Sequence, residues 1–118
     1  MGLTHIVMVS MPHASAEEAH KLHDDFVALQ QTSLKNGKPY IVSIRGGRQI
    51  SIENETTWTH VRGVVYSANR QAFVVEFASA SDRDFYVKEC PVHQAFATSV
   101  GERKVTEVVV IDFVHGET

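Results

Sequence analysis

Three segments of this chain are apolar on both faces when drawn as β-strands, and few folds can satisfy three such strands. Thr4 to Ser10 puts Ile6 and Met8 on one side and Val7 and Val9 on the other. Ala72 to Ala78 (AFVVEFA) does the same apart from Glu76, and Val105 to Val114 (VTEVVVIDFV) carries Val109, Ile111 and Phe113 on one side and Val108, Val110 and Val114 on the other. A strand with one wet face alternates apolar with polar; a strand that does not alternate needs cover on both faces.

The intervening segments supply cover for one face. Ser15-Ala16-Glu17-Glu18 is a Ser-x-x-Glu capping box, the mark of a helix start. The helix it opens carries Ala19, Leu22, Phe26 and Leu29 at helical spacing, and Asn36-Gly37-Lys38-Pro39 is expected to stop it. Tyr40 to Ile44 begins a further strand that runs into Gly46-Gly47. Ser81-Asp82 signals a short helix through about Glu89; Pro91 breaks it, and Val92 to Val100 reads as another, ending at Gly101. The order is β-α-β-β-α-β, a ferredoxin-like α+β arrangement in one domain spanning residues 1–118. Both crossover helices fall on one face of the sheet. The second apolar face then calls for a sheet from a second copy of the chain across a twofold axis, a homodimer. The stretch from Arg48 to Asn69 fits no single element. It reads equally as a strand extension, a hairpin or an ordered loop, and Trp58 and Tyr66 within it suit either a lid or a dimer staple.

Composition narrows the class. The 118 residues carry a formal charge of −3, and the eleven Lys and Arg are scattered, which argues against a nucleic-acid partner. Cys90 is the single cysteine, so no internal disulfide forms and a reducing, cytoplasmic setting is expected. The Met1-Gly2-Leu3-Thr4-His5 start has no basic region of a signal peptide, and Ile6 stands where myristoylation wants Ser or Thr. No segment reaches the roughly 18 apolar residues of a membrane span.

Several segments, in order and spacing, resemble the stress-responsive dimeric A/B barrel family, particularly its fungal members. They are Thr4-His5-Ile6-Val7, Lys38-Pro39-Tyr40-Ile41 with Gly46-Gly47, Ala72 to Phe77, Asp82 to Val87 leading to Pro91-Val92-His93-Gln94-Ala95-Phe96, and Val110-Ile111-Asp112-Phe113 with Gly116. The resemblance covers nearly the whole chain, and its most specific part is the Tyr86 to Pro91-x-His93 segment. It implies a dimeric α+β barrel with a pocket in each subunit between sheet and helices. It also implies a distant similarity to the plant olivetolic acid cyclase, which closes a polyketide chain by aldol condensation without cofactor or metal. By that similarity His93 is the general base, with Tyr86 beside it and His5 nearby.

The chain departs from the family pattern in four places. Compared with the plant cyclase, one extra residue separates Tyr86 from Pro91, so Phe85 competes for the Tyr86 position. Cys90 stands where fungal relatives usually have Asp. Arg70-Gln71 replaces the usual Thr-His before the third apolar strand. A Thr59-His60 pair lies upstream of that strand instead, ahead of roughly ten residues that look inserted within the atypical stretch at about 50–70.

Each candidate has a plain alternative. His93 follows a helix-starting proline that can aim its ring inward, and imidazole titrates near neutrality; it could equally cap the helix or bond a strand end. His5 lines a pocket or is a satisfied core histidine. Tyr86 orients a carbonyl or phenolic oxygen through its hydroxyl, or is a core aromatic. His20, His23 and Asp24 lie on adjacent turns without a third metal ligand and read as a solvated helix face, with His13 and His115 also at the surface. Cys90 lacks the His and Asn or Asp order of a nucleophile. Asn54-Glu55-Thr56 matches a sequon that stays silent without secretion. Gly46-Gly47 lacks the Lys-Ser/Thr of a phosphate loop.

Two functions are compatible with these residues. One is a cofactor-independent cyclase, isomerase or lyase acting by acid/base catalysis on a polyketide-like or aromatic carbonyl substrate in secondary metabolism, with His93, His5 and Tyr86 as its machinery and neither metal nor organic cofactor. The other is a non-catalytic, ligand-binding stress-response dimer whose histidines are structural. Convergence of His5 and His93 on one cavity separates the two.

Overall fold

A computed structural model describes residues 2–51 and 70–118. Strand β1 (Leu3–Ser10) leads into helix α1 (Ala16–Thr32). Two short strands, β2 (Leu34–Lys35) and β3 (Lys38–Pro39), precede β4 (Ile41–Arg48). Strand β5 (Arg70–Phe77), helices α2 (Ala80–Lys88) and α3 (Pro91–Val100), and strand β6 (Glu107–Phe113) complete the order. The four long strands form one antiparallel sheet in the order β4-β5-β1-β6. This is the ferredoxin-like α+β fold.

The β1 pairings decide which side chains share a face. His5 lies opposite Val75 and Asp112, Val7 opposite Phe73 and Val110, and Val9 opposite Gln71 and Val108. These residues point toward the helices. Leu22, Phe26 and Leu29 of α1 are buried against them, and the Phe26 ring stacks on Phe73 at 4.2 Å between centroids. The intervening residues form the opposite face: Ile6 between Val74 and Ile111, and Met8 between Ala72 and Val109. On that face Ile111 is 50% exposed and Phe113 44% exposed. At the start of β1 this face carries Thr4, whose hydroxyl lies 2.9 Å from Glu76 Oε2. The doubly apolar strands thus have one face in the core and one uncovered.

Several element limits differ from the sequence reading. Helix α1 ends at Thr32, where the Ser33 N–H still bonds Leu29 O; Asn36-Gly37 is not its terminator. Both residues have positive φ (54° and 77°) and turn the β2–β3 hairpin, the conformation that Asn-Gly favours. The N-cap of α2 is Ser79 rather than Ser81, because its side chain accepts from the Asp82 N–H. Strand β4 runs through Gly46-Gly47 to Arg48. The possible lid or staple residues Trp58 and Tyr66, the displaced Thr59-His60 pair and the sequon at Asn54 lie outside the described residues. Among the described residues no helix is long and apolar enough to cross a membrane.

Gly46 has a packing reason. A Cβ there would collide with Phe73 Cδ1 and stand 2.8 Å from Ala72 O, whereas one at Gly47 would meet nothing within 4 Å. Gly46→Ala should therefore destabilise the fold by about 1–3 kcal/mol in urea denaturation. Gly47→Ala should leave the midpoint nearly unchanged.

Candidate active site

Helix α1 packs over β4 and against α3, while β6 lies at the far edge of the sheet. Space therefore remains between β1 and β6 on one side and the helices on the other. It is a cavity of about 560 Å³, within the range of small-molecule sites. Its sheet wall is Val7, Val9, Val108 and Val110; Leu22 and Phe26 of α1 and Phe96 and Val100 of α3 close it. His93, Phe96 and Val100 form the inner stripe of α3, and all three are only half-buried because they border this space.

The polar groups gather at one end. His5 is 5% exposed. Its Nδ1–H donates to Asp112 Oδ1 at 2.5 Å, since a carboxylate can only accept. That bond follows from the β1–β6 register, which seats His5 directly opposite Asp112. It leaves Nε2 as the ring nitrogen free for a ligand. Asp112 Oδ2 accepts from Arg83 Nη1 at 2.6 Å, and Arg83 Nε donates to Asp84 Oδ1 at 2.7 Å. The two carboxylates, Asp84 first, raise the guanidinium above its usual range.

Tyr86 is fully buried and lies between the two histidines. Its ring stacks on His93 at 3.8 Å and meets His5 edge-on at 5.7 Å. Its hydroxyl is buried with no hydrogen-bond partner, and burial and the neighbouring Cys90 push its pKa up. Tyr86 therefore meets the cavity with its ring rather than its hydroxyl, which differs from the substrate-orienting part expected of it. Phe85 does not compete for the position; it packs edge-on against Tyr40 and takes Lys35 Nζ over its ring. Pro91 opens α3 as its first residue, which sets His93 in the first turn. His93 Nδ1 is buried without a hydrogen-bond partner. Burial lowers the His93 pKa, the Tyr86 backbone opposes that shift, and His5 adds to it. Burial thus disfavours the charged form of the ring.

The remaining candidates lie elsewhere. Arg70 and Gln71, in place of the family's Thr-His, bond other elements: Arg70 Nη2 donates to Ser10 Oγ at the end of β1, and Gln71 Nε2 to Ala19 O in α1. His20 is exposed and pairs with Asp24, while His23 Nε2 meets Gly46 O at 3.1 Å. No cluster of metal-ligand type occurs among the described residues. His13 and His115 are exposed, and Cys90 is a buried free thiol. Asp112 and Arg83 are the site residues that sequence reasoning missed as chemistry. Asp112 had a signal, being the one charged residue in the run Val108 to Val114.

The family model described as the stress responsive A/B barrel domain matches residues 3–115. Among solved structures, an Arabidopsis thaliana protein is 20% identical, with a TM-score of 0.73 over 98% of this chain and 97% of that one. A hydroxynitrile lyase from Passiflora edulis is 17% identical, with a TM-score of 0.71 over 99% and 95%. A dimeric ferredoxin-like protein from Bacteroides fragilis is 18% identical, with a TM-score of 0.61 over 95% and 94%. At these identities the likeness shows a shared fold. No curated protein matches the sequence.

The lowered His93 pKa has a consequence for stability. The unfolded chain binds a proton at His93 more readily than the folded chain, so stability rises with pH through this group. It is fully present above the ordinary histidine range and is lost as pH falls through it. His93→Gln should remove that component. The stability gap between wild type and variant, followed by denaturation from pH 8 to pH 5, should shift against wild type on the acid side.

Proposed function

We propose that this chain, which belongs to the stress-responsive A/B barrel domain family, is a cofactor-independent acid/base enzyme of small-molecule metabolism. One observation carries the reading: His5 and His93 converge on a single apolar cavity, on either side of Tyr86. The apolar walls suit a polyketide-like or aromatic body, and the histidine end suits its carbonyl. His93, neutral through burial, takes a proton from carbon next to that carbonyl at Nε2. His5, with Nδ1 committed to Asp112, presents a bare Nε2 that accepts the proton of a substrate hydroxyl. Tyr86 backs the His93 ring and keeps it aimed. Cyclisation, isomerisation and elimination all fit this pair. The similarity in fold to the Passiflora edulis hydroxynitrile lyase supports including lyase chemistry. The resemblance to fungal members and to olivetolic acid cyclase supports a place in secondary metabolism, in the cytoplasm where a lone thiol stays reduced.

A second reading, a non-catalytic ligand-binding dimer, is favoured by one feature. The Tyr86 hydroxyl does not reach the cavity, so one polar group expected for catalysis is absent from it. A panel of β-keto, aromatic aldehyde and cyanohydrin substrates separates the readings. His93→Ala should lower turnover of an accepted substrate by about 10²-fold or more without changing the molecular mass in solution. Full activity in that variant would remove the enzyme reading.

The homodimer is part of the same proposal. The uncovered face holding Ile6, Met8, Val74, Ile111 and Phe113 is the surface a second sheet would cover. Ile111→Asp should turn a dimer into a folded monomer in sedimentation; an unchanged dimer would locate the interface elsewhere.

A further inference from the structure

The His5–Asp112 pair does not stand alone. Asp112 has two oxygens with different partners: Oδ1 takes the His5 proton at 2.5 Å, and Oδ2 takes Arg83 Nη1 at 2.6 Å. Arg83 is itself held at a second point, since its Nε bonds Asp84 Oδ1 at 2.7 Å. Asp84 and Arg83 are neighbours on α2, whereas Asp112 belongs to β6. Arg83 therefore ties the end of the edge strand to the helix that carries Tyr86. Without that tie, the Asp112 carboxylate could turn about its terminal torsion, which is soft for Asp, and either oxygen could leave the imidazole. Asp112 is also the carboxylate that meets His5. Phe77 of β5 and Tyr86 of α2 meet its ring edge-on, and His93 of α3 is the titratable ring coupled to it. The state of that ring thus depends on how firmly one carboxylate is aimed.

We propose that Arg83 is a positioning residue that acts through Asp112. It fixes the carboxylate so that the His5 proton stays on Nδ1 and Nε2 is left for the cavity. This rests on the reading of the cavity as a reaction site, but its physical content does not need a substrate. A planar guanidinium gripping two carboxylates has a geometry that an ammonium cannot reproduce. The role is therefore one of aim as well as charge.

The test is the His5 ring tautomer, read from Nδ1 and Nε2 nitrogen shifts of the full-length protein at pH 9. Wild type should show the Nδ1–H form. Arg83→Gln should raise the Nε2–H population about threefold or more, while the exposed His13, His20 and His115 stay at their wild-type shifts. Arg83→Lys, which keeps charge but gives up the fork, should move His5 in the same direction. Asp112→Ala, which removes the acceptor, is the companion variant. If it changes the His5 tautomer and neither Arg83 variant does, the positioning role is overturned and the His5–Asp112 pairing survives. If Asp112→Ala changes nothing, the pairing itself fails and the active-site reading loses its anchor. Should Arg83→Gln fail to fold, a wild-type ratio in Arg83→Lys overturns the proposal by itself.

Discussion

Everything at the candidate site depends on the register of β1. Side chains alternate along a strand, so a slip of one residue would carry His5, Val7 and Val9 from the helix side to the uncovered side. The pairing of His5 with Asp112 and of Val7 with Val110 is therefore what makes one row of residues serve as core at one end and as cavity wall at the other. The same alternation delivers Ile6 and Met8 to the opposite face. One strand thus serves a core, a cavity and an apolar outer surface.

The cavity exists because the helix layer does not cover the sheet evenly. Helix α1 lies over β4 and reaches α3, leaving Val108 and Val110 of the edge strand about half exposed. Apolar side chains facing a half-covered space favour an apolar guest, and the polar groups confined to one end would set its orientation. Asp112 has both oxygens hydrogen-bonded there, whereas His93 does not have both ring nitrogens satisfied. That imbalance separates the roles proposed for the two histidines: one held by a carboxylate, the other kept neutral by burial.

The fold was largely legible in the sequence, since alternation and capping are local signals. The capping box at Ser15 is present with both of its hydrogen bonds, and the doubly apolar strands became the inner strands and one edge. Misplaced limits fell where two local signals compete. Asn36-Gly37 can stop a helix or turn a hairpin, and the choice is made by Leu34 and Lys35 pairing with Pro39 and Lys38. His5, Tyr86 and His93 could be named from the chain, but the direction of the Tyr86 hydroxyl could not. That direction is a matter of tertiary burial, which no local signal carries. Arg83 and Asp112 are 29 positions apart, and nothing local joins them. Only the antiparallel placement of β6 beside β1 brings Asp112 opposite His5 and within reach of Arg83.

The central claim is that His5 and His93 share one ligand-accessible cavity. Its most direct test is a titration of the full-length protein with a soluble aromatic aldehyde, followed through the imidazole proton and carbon shifts of each histidine. Both His5 and His93 should shift along one saturable curve with a common dissociation constant, while His13, His20 and His115 stay in place. Shifts confined to the exposed histidines, or separate curves for His5 and His93, would contradict it.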